Sequence, residues 1–184
     1  MTHVWGYRIP VLVAPVLVLY AAGAVWFLWR GRAQPWVTLE RVLFAGALVG
    51  ASAVTMTPTS FLDPEVFGRG RRSCALAPSA VGWQALVGDD QRLLNVLLLV
   101  PAAALGVVVA ARLRGRAGTP LLAGVVALPV LFETVQWAFP DLNRACDVTD
   151  LVDNLTGVVA GLLVGTGIAA LRWAVRRKVG IVAA

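Results

Sequence analysis

Three short stretches of this chain place polar side chains inside or beside strongly apolar sequence. The first carries an asparagine, the second a carboxylate and an amide three residues apart, and the third a polar turn that leads into an acidic segment. Together they supply seven candidate binding residues: Asn95, Glu133, Gln136, Arg144, Asp147, Asp150 and Asn154. Carboxylates, amides and a guanidinium can hold polar groups through hydrogen bonds and ion pairs. Because such groups are costly in an apolar environment, they predict a functional site.

The composition predicts an integral membrane protein. The 184-residue chain is 59% hydrophobic and 14% charged, with a mean hydropathy of +0.78. A soluble domain has a smaller apolar share. The formal net charge of +6 is attributed to basic residues that flank membrane spans and meet anionic lipid. The lipid bilayer is therefore the expected partner; no nucleic acid, cofactor or metal is assigned.

Five apolar segments each approach the roughly 20 residues that a helix needs to cross a bilayer. They are residues 9–29, about 38–56, 93–111, 119–139 and about 151–175. Because an open strand cannot satisfy its backbone in lipid, the segments predict an all-α fold. We expect a polytopic, multi-pass helix bundle that forms one membrane domain over residues 1–184.

The distribution of basic residues predicts the orientation. Six of the 16 Lys and Arg residues fall on one side of the five predicted spans: Arg8, Arg69, Arg71, Arg72, Arg92 and Arg144. The others, which include Arg112, Arg114 and Arg116, fall on the opposite side. Since the more basic side is usually cytoplasmic, the N-terminus is predicted outside and the C-terminus inside. Arg112, Arg114 and Arg116 are assigned to topology and not to a binding patch.

Both cysteines fall on the predicted outer side. Cys74 lies in the long loop after the second span, and Cys146 lies in the turn between the fourth and fifth spans. An oxidising compartment permits disulfides, and closing a loop of this length stabilises a protein by ~4 kcal/mol in the chain-entropy model. The pair is a disulfide candidate; two unpaired thiols that share a side are the alternative.

With this topology the polar residues of three spans converge at one depth. Asn95 lies in the first outer turn of the third span, and Glu133 and Gln136 lie one turn apart near the outer end of the fourth. Asp150 and Asn154 share a face in the first outer turns of the fifth. The arrangement predicts a polar pocket that opens outward.

The start of the fifth span carries two further predictions. Asp147 and Asp150 are three residues apart and can cap the N-terminus of this helix in a capping-box arrangement. Asp153 is predicted to point away from Asp150 and Asn154, so it is left out of the pocket.

Glycines and prolines inside the spans predict how the helices pack. The ladder Gly157, Gly161 and Gly165 favours close helix approach. Pro101 and Pro129 each remove a backbone donor, and we expect the freed carbonyls to line a cavity.

These residues resemble the motifs of the VanZ-like family of bacterial membrane proteins. The resemblance rests on Asn95 with Pro101, Glu133-x-x-Gln136, and Arg144-x-x-Asp147-x-x-Asp150-x-x-x-Asn154-x-x-Gly157-x-x-x-Gly161, with Thr55-Met56-Thr57-Pro58 as its threonine-proline element. It covers about residues 40–170. The family often has Pro-Leu-Gly after the asparagine helix, whereas this chain has Pro101-Ala102-Ala103, a departure that concerns packing.

The resemblance implies a protein of the bacterial cell envelope. Founding members of the family are linked to low-level resistance to the glycopeptide teicoplanin. The resemblance does not supply a molecular activity.

Three functions are compatible with the cluster. The favoured hypothesis is binding of a polar lipid headgroup, a lipid-linked cell-wall precursor or an amphiphilic, glycopeptide-type antibiotic. The second is an intramembrane enzyme acting on an envelope lipid, with Glu133 as general acid or base or with Glu133, Asp147 and Asp150 around a divalent cation. The third is a structural network of buried ion pairs. Whether the chain is an enzyme stays open.

Overall fold

Five helices and one short strand pairing make up the part of the chain that the structure describes. The structure is a computed structural model, and it describes residues 13–55, 74–76, 88–113, 117–139 and 146–182. In chain order the elements are α1 (Val13–Arg30), α2 (Pro35–Thr55), β1 (Cys74–Ala75), α3 (Asp90–Ala110), α4 (Gly118–Ala138), β2 (Cys146–Asp147) and α5 (Val148–Val182). The predicted all-helical fold is confirmed.

Four of the helices, α2 to α5, are long and apolar enough to cross a membrane. Within α1, a shorter apolar segment, Val16–Arg30, corresponds to the first predicted span. The chain is thus a multi-pass membrane protein, while the side on which each terminus lies remains a prediction. With 35 residues, α5 is about 50 Å long, which exceeds the ~30 Å apolar core of a bilayer.

The closest helix pair is α3 against α5, and the glycine ladder explains it. A Cβ atom added to Gly157 would lie 2.0 Å from the carbonyl oxygen of Val96. One added to Gly161 would lie 2.6 Å from Cβ of Ala103, and one added to Gly165 would lie 2.5 Å from an α3 carbonyl oxygen. All three distances are too short for real contacts, so only glycine permits this approach. The predicted close packing is confirmed.

Apolar side chains from α2, α3, α4 and α5 form the core around this pair. The buried members are Ala51, Leu99, Ala103, Val125, Phe132 and Val158. In contrast, α1 packs on the edge of the bundle against α2, where the Tyr20 hydroxyl donates to the carbonyl oxygen of Val42 at 2.6 Å. Its other face exposes a row of apolar residues, as expected of a helix that contacts lipid.

The prolines differ in their placement. Pro129 is fully buried. Pro101 lies on the exposed side of α3. The carbonyl that loses its helical donor to Pro101 belongs to Leu97, which is also exposed. The prediction that Pro101 frees a carbonyl to line a cavity is therefore wrong. Both helices continue through their prolines without a break.

A short parallel strand pairing joins the loop after α2 to the start of α5. The backbone of Cys74 pairs with that of Cys146, and Ala75 pairs with Asp147. The two candidate disulfide residues are therefore direct partners in the backbone ladder. Their pairing through sulfur remains a prediction.

An ion-paired cluster ties three helices together at one end of the bundle. The carboxylate of Glu40 in α2 accepts hydrogen bonds from Arg112, just after α3, and from Arg172 in α5. These bonds raise the pKa of the Arg112 guanidinium above its usual range. Arg112 therefore does more than set the topology: it fixes the end of α3 against α2.

Candidate functional site

The predicted site residues that the structure describes lie at the end of the bundle opposite Glu40. Here α2 and α4 end while α3 and α5 begin, so four helix termini meet. Hydrogen bonds between the helices define this end, which we call the polar end. Its described residues are Thr55, Arg92, Asn95, Glu133, Gln136, Asp147, Asp150, Asp153 and Asn154.

Asn95 and Asp150 connect the first turns of α3 and α5. The Asn95 amide nitrogen, Nδ2, donates to Oδ1 of Asp150 at 2.7 Å. The contact joins two residues 55 positions apart in sequence, both of which the sequence assigned to one cluster. It is a charge-assisted bond, a class stronger than a bond between neutral groups.

Glu133 reaches from α4 to the start of α5. Its carboxylate is buried, with 7% of the residue exposed, and Oε2 accepts the backbone N–H of Asp147 at 3.2 Å. Asp147 in turn caps α5, because its Oδ1 accepts the backbone N–H of Thr149 at 2.8 Å. The predicted helix cap is confirmed for Asp147. Its own N–H, which a capping box would bond to the side chain three residues on, donates to Glu133.

Gln136 lies one turn after Glu133 and connects α4 to α2. Its Nε2 donates to the carbonyl oxygen of Thr55, the last residue of α2, at 3.3 Å. The carbonyls of a last helical turn have no intrahelical donor, so Gln136 supplies one. In the sequence, Thr55 belongs only to the threonine-proline element; residues 56–58 of that element lie outside the described residues.

The cluster contains a buried ion pair that the sequence did not predict. Arg92 in α3 donates through Nε to Oδ2 of Asp153 at 2.8 Å and through Nη2 to Oδ1 at 2.9 Å. The prediction that Asp153 points away from the cluster is wrong, because residues three apart on a helix share a face, which puts Asp153 beside Asp150. The sequence indicates only a topology signal for Arg92, although this residue lies three positions before Asn95 on the same helix.

Asn154 lies one turn after Asp150 and is 4% exposed. Within the described part of the chain, its side-chain oxygen Oδ1 has no hydrogen-bond donor. A buried acceptor without a donor costs about 1–3 kcal/mol, and such groups are uncommon in folded proteins. Asn154 therefore presents an acceptor to whatever approaches the cluster.

Two predictions remain to be compared with the structure: the role of Arg144 and a possible metal site. Arg144 lies outside the described residues. Among residues 13–55, 74–76, 88–113, 117–139 and 146–182, no group of three or more His, Cys, Asp or Glu side chains is arranged to hold a metal ion. Glu133, Asp147 and Asp150 each accept a hydrogen bond within the cluster.

The polar end coincides with the residues by which the sequence resembled a known family. A family model described as VanZ/LLP1 matches residues 17–169. The chain belongs to the VanZ/LLP1 family. Within this VanZ/LLP1 protein the match includes most of α1 and every described residue of the polar end, and it stops before Arg172. Searches of curated proteins and of solved structures found no match.

Proposed function

We propose that this VanZ/LLP1 protein binds the polar part of an envelope amphiphile at the polar end, in the membrane of a bacterial cell. The candidate ligands are a lipid headgroup, a lipid-linked cell-wall precursor and a glycopeptide-type antibiotic. All three join apolar chains, which the surrounding lipid accepts, to a head rich in hydrogen-bonding groups.

The observation that carries this proposal is the unpartnered Oδ1 of Asn154. No described residue donates to this oxygen, so its donor would be water, a ligand or a part of the chain outside the described residues. A hydroxyl, amide or ammonium group of a ligand would supply it and would offset the desolvation of the buried oxygen.

The charge of the described cluster supports a ligand that donates hydrogen bonds. Four carboxylates lie at the polar end, and Arg92 is the one described cation among them, engaged in two bonds with Asp153. Acceptors therefore outnumber donors. In this proposal Asp150 and Asn154 face hydroxyl or amine groups of the ligand, whereas Arg144 pairs with its phosphate or carboxylate.

Replacing Asn154 by leucine tests the proposal, because leucine matches its shape and lacks the oxygen. Delipidated Asn154→Leu protein should be at least as stable as wild type, since a buried unpaired acceptor has been removed. Added undecaprenyl phosphate, phosphatidylethanolamine or teicoplanin should raise the melting temperature of wild type and raise that of Asn154→Leu less. Thr156→Val, an exposed change on α5, is the matched control. If no probe stabilises wild type more than Asn154→Leu, the proposal fails.

A structural role is the second candidate, and the Arg92–Asp153 pair favours it. This pair is buried, with side-chain exposures of 10% and 5%, and links α3 to α5 beside their glycine contact. Under this alternative the polar end fixes the register of the two helices and binds nothing. Equal stability of the wild type with and without every probe would support it.

A further inference from the structure

A second polar region lies at the opposite end of the bundle, around Glu40. An open cavity of about 470 Å³ is present there. Its wall includes Pro35, Trp36, Glu40, Arg112, Arg172 and Arg176. Three guanidinium groups and one carboxylate give this wall a net charge of +2, the reverse of the described polar end.

Glu40 holds two of the three guanidinium groups in place. Its Oε1 accepts from Nη2 of Arg112 at 2.8 Å and also from Arg172, and its Oε2 accepts from Nε of Arg112. These bonds use two N–H groups of Arg112 and one of Arg172. Because a guanidinium carries further N–H donors, both residues keep donors for a second, external acceptor. Arg176 lies one turn after Arg172 on the same face of α5 and adds a third positive charge.

The first turn of α2 adds backbone donors to the same cavity. The helix begins at Pro35, which has no N–H group, and the N–H of Thr38 donates to the carbonyl oxygen of Gln34. The N–H groups of Trp36 and Val37 are therefore the first-turn donors without an intrahelical acceptor. Together with the helix dipole they favour an anion. Three arginines and a helix N-terminus thus converge on one open cavity. Guanidinium groups and helix N-termini share a preference for phosphate, which takes paired hydrogen bonds from several directions.

We propose that this cavity binds a phosphate group, held by Arg112, Arg172 and Arg176 and by the first turn of α2, with Glu40 as a positioning residue. The phosphate belongs either to the headgroup of an anionic phospholipid or to a soluble phosphate compound. Trp36 on the cavity wall is 73% exposed, and an exposed tryptophan at a helix end is typical of a membrane interface. Basic pockets between membrane helices bind such headgroups.

The site is separate from the proposed function of the polar end. Arg172 and Arg176 lie beyond residue 169, where the family match ends. The phosphate site therefore depends on residues that the family match does not include.

The test uses delipidated, full-length protein in a neutral detergent and two double variants with the same change of charge. Arg172→Gln/Arg176→Gln alters the cavity, whereas Arg177→Gln/Lys178→Gln alters exposed residues of the same helix that do not line it. Phosphatidylglycerol and phosphatidylcholine with identical acyl chains are titrated separately, and bound lipid is counted by native mass spectrometry. In a parallel titration, inorganic phosphate is added and the melting temperature is recorded.

Phosphatidylglycerol should bind wild type and the Arg177→Gln/Lys178→Gln control at least about tenfold more tightly than it binds the cavity variant. Phosphatidylcholine should bind all three equally. Inorganic phosphate could instead raise the melting temperature of wild type but not that of the cavity variant. This result would also support the site and would assign it to a soluble phosphate compound. Arg176→Gln alone leaves the bonds to Glu40 intact and should weaken phosphatidylglycerol binding about fivefold. This single variant keeps the test informative if the double variant does not fold. Equal loss in both double variants, or no preference for either phosphate source over phosphatidylcholine, would overturn the proposal.

Discussion

Arg92 and Asp153 form a two-point ion pair between α3 and α5, with nitrogen–oxygen distances of 2.8 and 2.9 Å. Neither residue was assigned to the site from sequence, yet both are buried at its centre. The pair lies within one helical turn of the Asn95–Asp150 bond, so two bridges of similar kind join the same two helices. The cluster is therefore held together from α3 to α5 as a unit.

Breaking this ion pair by one substitution should cost more than removing it entirely. Arg92→Met leaves the Asp153 carboxylate without its two-point partner, and Asp153→Leu removes that partner from the guanidinium; each should lower the melting temperature of the protein. The double variant should be more stable than either single variant. Thermal unfolding of the four proteins in the same detergent measures this. Additive losses in the double variant would show that the two side chains do not depend on each other.

The glycine ladder gives a prediction with an internal control. Gly157→Ala should lower the melting temperature strongly, because the new Cβ would lie 2.0 Å from the Val96 carbonyl oxygen and the helices would have to separate; overpacking costs about 1–3 kcal/mol. Gly167 is on the same helix with nothing within 4 Å of an added Cβ. Gly167→Ala should therefore be neutral or stabilising, since alanine is the better helix former. Similar losses for both would refute the packing argument.

Cys74 and Cys146 should form a disulfide. Neighbouring strands lie about 4.8 Å apart, which falls inside the Cα separation of about 4.4–6.8 Å that a disulfide requires. The direct backbone pairing of the two residues supplies the proximity that sequence alone could not. Mass spectrometry of unreduced protein should show no alkylation of either cysteine, with both labelled after reduction. Labelling of both before reduction would contradict the prediction.

The predicted orientation can be tested with reporter fusions. A green fluorescent protein fused to the C-terminus should fluoresce, whereas alkaline phosphatase fused there should be inactive, because the more basic side is cytoplasmic. The reverse pattern would place the polar end inside the cell and would rule out an extracellular ligand.

The sequence was sufficient to locate the helices and the polar end, because hydrophobic length and helical spacing fix the depth and face of each residue. Asn95 and Asp150 were grouped on that basis, and their bond follows from it. Spacing does not fix which residue of another helix a side chain meets. Arg92 meets Asp153 across 61 positions, and Glu40 meets Arg172 across 132, so both pairs needed the three-dimensional arrangement.

The wrong assignments of Arg92 and Arg112 have the same cause. Arg92 and Arg112 were interpreted as flanking charges, an average property of membrane proteins, although each is paired with an acid in an apolar segment. Glu40 is the one acidic residue of α2 and was not singled out. A lone carboxylate in a predicted span is costly, so it could have indicated a basic partner at the same depth.

Native mass spectrometry of protein purified gently from its own membranes tests the central claim most directly. Wild type is compared with Asn154→Leu, Glu133→Gln and Asp150→Asn, and with Thr134→Val, an exposed control beside Glu133. We expect an amphiphile to co-purify with wild type and with Thr134→Val, and to be lost from the three cluster variants while they remain folded. A wild type without any such molecule, together with cluster variants that differ from it only by melting at lower temperature, would contradict the binding function and leave the polar end as a structural network.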